Sequence, residues 1–356
     1  MVINCTSYQR LSAAISWLRF PLIICVVMLH CYCTVPFESG NHYLYNGLVY
    51  PMGIWLGESG VPTFFFISGF LFYYSQKTYK DKIASRVHTL LYPYLLWNSL
   101  FLLFYFLLYL LGFSIPILGK SIGEYTIVDF IRAYIDRGEF GIGNNGPILC
   151  TYWYVRNLFV LCLLSPVWYY LCRYLGYIFP ASLLAWWMSQ YHNALVAESV
   201  LFFNLGAFFA IKCINPLEIV LSKRIAFLVV WLLFAIADIL THCIFNFFAA
   251  FYIHRISLVL NIFAFLFFAD FVVKGNPARV NQFLAGSVFW VFATHDHLVI
   301  ALRRLGMSCY GNFSDVFQIM LYIITLIVVL LCCLTSYFVM NRFFPSFVRL
   351  ATGSRN

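Results

Sequence analysis

Trp17-Leu-Arg-Phe-Pro-Leu-Ile-Ile-Cys-Val-Val-Met-Leu-His30 is the first long apolar run of the chain, and it carries two ionisable side chains. At about 100° per residue, the eleven positions from Arg19 to His30 return to within roughly 20° of the same helix face and span about 16 Å of its axis. Ionisable groups in a transmembrane segment are costly, so by default they face the protein interior. The run therefore predicts a membrane-spanning helix with a functional site along one face.

Composition extends this prediction to the whole chain. Hydrophobic residues make up 63% of the 356 positions and charged residues only 10%, whereas soluble chains carry about 25% charged residues. We predict an all-α, polytopic integral membrane protein that forms a single domain over residues 1–356. The 12 cysteines are scattered and lack histidines at zinc-like spacing, so they indicate packing residues and no metal site.

Ten apolar runs are candidates to cross about 30 Å of hydrocarbon. They cover residues 17–35, 53–75, 91–112, 148–172, 178–190, 198–213, 225–243, 247–273, 284–304 and 315–341. The fifth and sixth are the shortest. We predict about ten transmembrane helices.

The distribution of positive residues predicts the orientation. If the N-terminus is cytoplasmic, fifteen of the 22 Lys and Arg residues fall on inner segments and five on outer segments. Positive residues concentrate on the cytoplasmic side of membrane proteins, so both termini are expected in the cytoplasm and the protein in the cell inner membrane. The net charge of +9 then indicates topology and contact with membrane lipids, and it gives no reason to expect nucleic acid.

His30 and Arg19 are the first candidate catalytic residues. An imidazole suits proton abstraction from a hydroxyl near neutral pH, although a lone buried histidine is also compatible with a structural role. A guanidinium grips a phosphate in two places. Arg19 is equally compatible with anchoring of the helix at the inner membrane surface.

The second run holds further candidates in Gly60-Val-Pro-Thr-Phe-Phe-Phe-Ile-Ser-Gly-Phe70. The small Ser68 and Gly69 allow a neighbouring backbone to approach closely, and we assign both to donor binding. Glu58 precedes the stretch at about the depth of His30. It is a candidate acceptor contact or carboxylate partner of His30, and otherwise a solvated outer residue.

A basic segment, Lys77-x-x-Lys80-x-Lys82-x-x-x-Arg86, precedes the third run. Such segments commonly fix topology and bind acidic lipid. Arg86 lies nearest the apolar entry at Pro93-Tyr94, so we predict that Arg86 is the phosphate contact among these four residues.

The remaining candidates lie on the predicted outer half. Arg156 follows three aromatic positions, which suits a structural cation–π contact as well as an oxyanion or acceptor contact, and His295-Asp-His297 is a candidate partner for it. The long outer connection from Ser114 to Pro147 is either an acceptor-binding loop or an uninformative Gly/Asn-rich one.

Together these features resemble the membrane acyltransferase-3 family, which includes O-acetyltransferases of bacterial surface polysaccharides. The resemblance covers most of the chain and rests on Arg19 with His30, the Gly60–Phe70 stretch, Arg86 ahead of Pro93-Tyr-Leu-Leu-Trp97, Trp153-Tyr-Val-Arg156, and His295 in the ninth run. Asp296 and His297 stand where more usual family residues follow the ninth-run histidine.

The resemblance implies transfer of an acyl group, most often acetyl, from a cytoplasmic acyl-CoA to a hydroxyl of an extracytoplasmic or lipid-linked glycan. Acetyl-CoA or another acyl-CoA would be a substrate, and no bound cofactor is expected. We predict His30 as general base, with Arg19 and Arg86 holding the donor. The alternative from another class is a transporter or flippase for a glycolipid or small metabolite, although the two related halves common in transporters are not visible here.

Overall fold

The fold was analysed in a computed structural model that describes residues 5–32, 43–113, 120–136, 146–190, 194–242, 249–310 and 314–353. Within these ranges the chain is helical. The α-helices are α1 (Cys5–Tyr32), α2 (Tyr43–Tyr50), α3 (Gly60–Tyr74), α4 (Tyr79–Arg86), α5 (Tyr92–Leu110), α6 (Ile127–Ile135), α7 (Trp153–Leu163), α8 (Ser165–Tyr174), α9 (Ile178–Ser189), α10 (Leu195–Ile211), α11 (Pro216–Ser222), α12 (Arg224–Leu240), α13 (Ala250–Val273), α14 (Gln282–Tyr310), α15 (Asp315–Phe343) and α16 (Pro345–Thr352).

Shorter turns join several of these helices. Two π-helical turns, Pro51–Leu56 and Val87–Leu91, connect α2 towards α3 and α4 to α5. Three 3₁₀ turns precede α6, α7 and α14, at Ile122–Glu124, Cys150–Tyr152 and Pro277–Arg279.

The helix lengths confirm a multi-pass membrane protein. Six helical segments of the described chain are long and apolar enough to cross a membrane, and the number is eight if each of two bent pairs, α7 with α8 and α10 with α11, forms one span. The bends are 66° and 82°. Each of the ten predicted apolar runs overlaps one or more of the helices.

Helix α1 lies inside the bundle, where it packs against α3, α13, α14 and α15. Leu11, Leu18 and Leu22 belong to the larger apolar core, while Val27 and Cys31 belong to a second core shared with α14 and α15. A helix with partners on several sides occupies a central place in a bundle. Arg19 and His30 therefore lie on a central helix, as their position on a single apolar run predicts.

Helices α3 and α10 approach each other at two glycines. A methyl group on Gly69 would collide with the carbonyl oxygen of Phe203, and one on Gly206 would collide with the carbonyl oxygen of Phe66. Small residues allow such backbone contact between membrane helices. The prediction that the Ser68-Gly69 pair admits a neighbouring backbone is confirmed at Gly69.

We call the end of the bundle that contains the start of α1 the inner end, and the opposite end, at His30, the outer end. Lys82, Arg86, Arg224 and Lys274 lie at the termini of helices that meet at the inner end, since successive long helices run in alternate directions. This placement follows from helix order and fixes where the candidate residues lie along the axis.

Candidate active site

His30 is paired with a carboxylate at the outer end. Asp296 Oδ1 on α14 lies 3.2 Å from His30 Nδ1, and the side chains of His30 and Asp296 are 32% and 16% exposed. A carboxylate beside Nδ1 favours the tautomer in which Nδ1 carries the proton. Nε2 of His30 then keeps a lone pair that can accept a proton, as in other carboxylate–histidine pairs.

A second histidine contacts the first. The rings of His295 and His30 meet edge to face, with centroids 5.0 Å apart. His295 Nδ1 lies 3.0 Å from the Val291 carbonyl oxygen and 2.9 Å from that of Phe292, so Nδ1 carries the proton. The other ring nitrogen, Nε2, is buried without a hydrogen-bond partner among the described residues. Nε2 of His295 is thus an available hydrogen-bond acceptor beside the His30–Asp296 pair.

The outer end of α1 is held against α14 by a buried arginine. Arg303 is 2% exposed, and its Nη1 donates to the carbonyl oxygen of Cys31, one residue after His30. The last carbonyl groups of a helix lack partners within the helix, so this bond satisfies one of them. It also fixes the position of α1 relative to α14, and therefore that of His30 relative to Asp296.

Arg19 lines a large cavity at the inner end. The cavity has a volume of about 800 Å³, and its polar lining includes Tyr8, Gln9, Ser12, Ser16, Arg19 and Asn341. Arg19 is exposed to solvent in spite of its place on a central helix. The cavity is the physical reason, because it brings water to the guanidinium.

Arg86 lies close enough to Arg19 for the two positive charges to repel each other. The guanidinium of Arg86 lies 5.8 Å from the centre of the Phe72 ring, and Lys82 lies over the same ring at 5.3 Å. Within the described ranges, neither arginine forms an ion pair with a carboxylate. This part of the inner end therefore carries two positive charges without a carboxylate partner among the described residues.

An apolar cavity lies on the same face of α1, between the levels of Arg19 and His30. Its volume is about 60 Å³, and Ile23 and Val26 of α1 line it together with Tyr154 and Phe292. Tyr154 also lies within electrostatic range of Arg19. The positions 19, 23, 26 and 30 share one helix face. The order along α1, from the inner end, is therefore the polar cavity at Arg19, the apolar cavity at Ile23 and Val26, and the contact of His30 with Asp296.

The suggested pairing of Glu58 with His30 is wrong. Glu58 Oε2 lies 2.9 Å from Nε2 of His254 on α13, and Nδ1 of His254 lies 2.9 Å from Asp238 Oδ2. Tyr50 donates to the other oxygen of Asp238 at 2.9 Å. Glu58 thus belongs to a separate cluster on α12 and α13, and Asp296 is the carboxylate beside His30. Sequence spacing did not indicate that Glu58 faces α13 while His30 faces α14.

Arg156 is engaged by the outer segment. Its Nη1 donates to the carbonyl oxygen of Ile135 at the end of α6 and lies 4.0 Å from Asp136 Oδ2, while its Nε donates to Asn157 at 3.1 Å. The suggested pairing with the His295–His297 segment is therefore replaced by one with Asp136, because Asp296 pairs with His30. Arg156 thus contacts the end of α6, and its role as an oxyanion or acceptor contact stays a prediction.

Within its described residues, the outer connection contains the 3₁₀ turn Ile122–Glu124 and helix α6. Asp129 accepts hydrogen bonds from the backbone N–H and hydroxyl of Thr126, and Lys120 lies 3.1 Å away. These donors hold the pKa of Asp129 at about 2. The carboxylate therefore caps α6. Much of the Gly/Asn-rich part of the predicted loop lies outside the described residues.

Ser68 and Gly69 lie away from the Arg19 cavity. Gly69 is filled by the backbone of α10, and Ser68 is half-buried on α3. Neither residue lines the cavity. Gly69 therefore serves helix packing, and the assignment of Ser68 and Gly69 to donor binding stays a prediction that this cavity does not support.

His30 on α1 and His295 with Asp296 on α14 form a candidate site, and Arg19 and Arg86 lie nearer the inner end. The family model described as an acyltransferase domain matches residues 12–338 of the chain. Since this is most of its length, the chain belongs to that family and is an acyltransferase. It is similar to the succinoglycan biosynthesis protein ExoH of Rhizobium meliloti (strain 1021), with 23% identity over 367 residues that cover 97% of this chain and 93% of that protein. No solved structure matches the chain significantly.

Proposed function

We propose that this protein is an O-acetyltransferase of the cell inner membrane that moves an acetyl group from cytoplasmic acetyl-CoA to a hydroxyl of an extracytoplasmic or lipid-linked glycan. In this proposal the chain crosses the membrane ten times with both termini in the cytoplasm. The similarity to a succinoglycan biosynthesis protein supports a polysaccharide as the acceptor class. The family supports acyl transfer.

The observation that carries the proposal is the order of features along α1. Arg19 faces a polar cavity of about 800 Å³ at the inner end, and His30 faces Asp296 about 16 Å further along the axis. The donor is a polyanion with a long, uncharged thiol arm. Arg19 and Arg86 suit its phosphates, and the apolar cavity at Ile23 and Val26 suits the acyl group at the end of the arm.

His30 and Asp296 carry out the proton transfer in this proposal. His30 Nε2 removes the proton of the acceptor hydroxyl as its oxygen attacks the thioester carbonyl, and Asp296 stabilises the imidazolium that forms. The tetrahedral intermediate collapses with cleavage of the carbon–sulfur bond. The CoA thiolate leaves and takes the proton back from His30. An ester and a free thiol are formed, so no other reactant is required.

The size of the apolar cavity at Ile23 and Val26 favours a short acyl group. At about 60 Å³ it holds only a few non-hydrogen atoms, and Val61, Phe64 and Phe289 close its walls. Protein interiors are close-packed and admit extra methylene groups only at a cost. Acetyl is therefore favoured over long chains, which also agrees with the acyl group implied by the sequence resemblance.

The proposal is tested by measuring ester-linked acetyl on surface glycans of host cells with and without the protein. Purified protein in liposomes, supplied with radiolabelled acetyl-CoA and the glycan fraction from the deficient cells, should restore the acetyl groups. Loss of acetyl in the deficient cells and its restoration in vitro support the proposal. Unchanged glycan acetylation, or transport of the glycan without consumption of acetyl-CoA, would favour a flippase instead.

A further inference from the structure

A second basic cavity opens at the inner end, on the other side of Arg10 from the Arg19 cavity. It has a volume of about 350 Å³ and is lined by Arg10, Leu221, Arg224, Phe267, Asp270, Phe271 and Lys274. The cations come from three places in the chain: the start of α1, the start of α12 and the end of α13. Their convergence requires the fold, since no sequence pattern links them.

The cavity carries an excess of positive charge. Asp270 is nearly buried and binds Arg10 in a two-point ion pair, with Nε–Oδ1 and Nη2–Oδ2 distances of 2.5 and 2.6 Å. This pair fixes the Arg10 guanidinium at the cavity wall. Arg224 and Lys274 have no carboxylate partner within the described chain. Three cations thus meet one carboxylate, which leaves a site for an anion.

The start of α12 adds to the positive potential. Arg224 is the first residue of this helix of 17 residues, and the preceding Lys223 makes no side-chain capping bond. The first N–H groups of a helix lack partners within it, and the helix dipole favours an anion at this end. The two effects act in the same place as the side chains of Arg224 and Lys274.

The walls show which kind of anion fits. Phe271 lines the cavity and is 66% exposed, and the neighbouring surface of α12 is apolar and exposed at Ile225, Val229 and Leu232. In a multi-pass protein such a surface contacts the acyl chains of lipids. The cavity therefore has cations at the inner end and an apolar surface directly beside them. An anionic lipid matches both, since it has a charged headgroup next to apolar acyl chains.

We propose that Arg10, Arg224 and Lys274 bind the phosphate headgroup of an anionic phospholipid of the inner leaflet, whose acyl chains lie along α12 and α13. Basic pockets between membrane helices on the cytoplasmic side suit such headgroups. A phosphate could also come from CoA. The cavity of Arg19 is separated from this one by Arg10 and Gly275, since Arg10 Cγ lies 3.5 Å from where a Gly275 side chain would begin. The geometry assigns the site to lipid.

The test compares lipid retention by native mass spectrometry. Delipidated protein is titrated with phosphatidylglycerol or with phosphatidylcholine. The unsubstituted protein should retain phosphatidylglycerol more strongly, and the double variant Arg224→Gln/Lys274→Gln should lose that preference, with retention about tenfold or more weaker. If the double variant is unstable, the single variants Arg224→Gln and Lys274→Gln replace it. Each should show part of the loss of phosphatidylglycerol retention.

The matched control is Lys80→Gln/Arg342→Gln, which removes the same charge from exposed positions at the inner end outside the cavity. It should keep the preference. Equal retention of phosphatidylglycerol by the cavity and control variants would overturn the proposal. A second arm measures CoA binding. If the cavity variants lose CoA affinity and keep lipid retention, the phosphate belongs to the donor and the lipid assignment is wrong. Since the lipid arm requires no acyl transfer, its result is independent of the proposed activity.

Discussion

Asp296 Oδ1 lies 3.2 Å from Nδ1 of His30, although the two residues stand near opposite ends of the chain. This contact couples α1 to α14 at the outer end of the bundle. It orients the imidazole and leaves Nε2 as the basic atom. Below it, on the same face of α1, lie the apolar cavity and Arg19, with Arg86 of α4 within electrostatic range of Arg19. In the proposed function, the pair stands at the end of the route that begins at these arginines.

Asp296→Asn should lower the rate of acyl transfer by about 10²-fold or more. The amide keeps the size of the side chain, but it neither selects the Nδ1-protonated tautomer as well nor stabilises the imidazolium. The measurement is kcat and KM for acetyl-CoA in liposomes. We expect the loss in kcat with little change in KM and in the thermal unfolding midpoint. A variant with normal kcat would show that Asp296 does not act through His30.

Arg19→Lys should raise KM for acetyl-CoA by roughly tenfold although the charge is kept. Lysine lacks the planar fork that grips a phosphate in two places. The control is Arg19→Ala, which should have a higher KM for acetyl-CoA than the lysine variant and should insert into the membrane equally well. If the lysine variant has wild-type kinetics and only the alanine variant inserts poorly, Arg19 is an anchor for α1 and not a donor contact.

Arg86→Ala should weaken acyl-CoA binding far more than Lys77→Ala or Lys80→Ala. Arg86 is half-buried and close to Arg19, whereas the two lysines are exposed, where salt screens charges within about 8–10 Å. Lys82 shares the Phe72 ring with Arg86, so we expect a smaller but measurable effect there. Equal, small changes in donor affinity at all four positions would mean that the segment serves topology alone.

Gly69→Ala should destabilise the protein by about 1–3 kcal/mol, since a methyl group has no room beside the Phe203 carbonyl. Gly47→Ala is the matched control, because its helical position has open space and alanine favours helix. The thermal midpoint in detergent compares the two. If Gly69→Ala keeps its midpoint and loses only donor affinity, the glycine contacts the donor as its sequence position first suggested.

Helical periodicity was enough to place Arg19 and His30 on one face of α1, because both residues lie on a single helix. Composition predicted the all-helical membrane class without reference to any contact between helices. The small Ser68-Gly69 pair predicted a close helix contact, which Gly69 makes. These inferences depend on short-range geometry alone. They needed no knowledge of which helices are neighbours.

The partners of the candidate residues required the arrangement of the helices. Asp296 was visible in the sequence only as an unusual neighbour of His295, and its role follows from the register of α14 against α1. Glu58 illustrates the opposite error, since spacing suggested His30 as its partner while the structure pairs it with His254. His254 had no signal beyond being a histidine in an apolar run. Ion pairs between distant helices are set by packing, which spacing does not encode.

His30→Ala, compared with His297→Ala, tests the central claim most directly. His297 packs against the Phe101 ring at 4.2 Å, two residues beyond His295 on α14, so its loss removes a histidine from the same region and leaves both side chains of the His30–Asp296 contact in place. We predict that His30→Ala lowers acetyl transfer in liposomes by at least about 10²–10⁴-fold, while His297→Ala retains transfer, at equal amounts of inserted protein. Wild-type transfer by His30→Ala would contradict the account and leave His30 with a structural role.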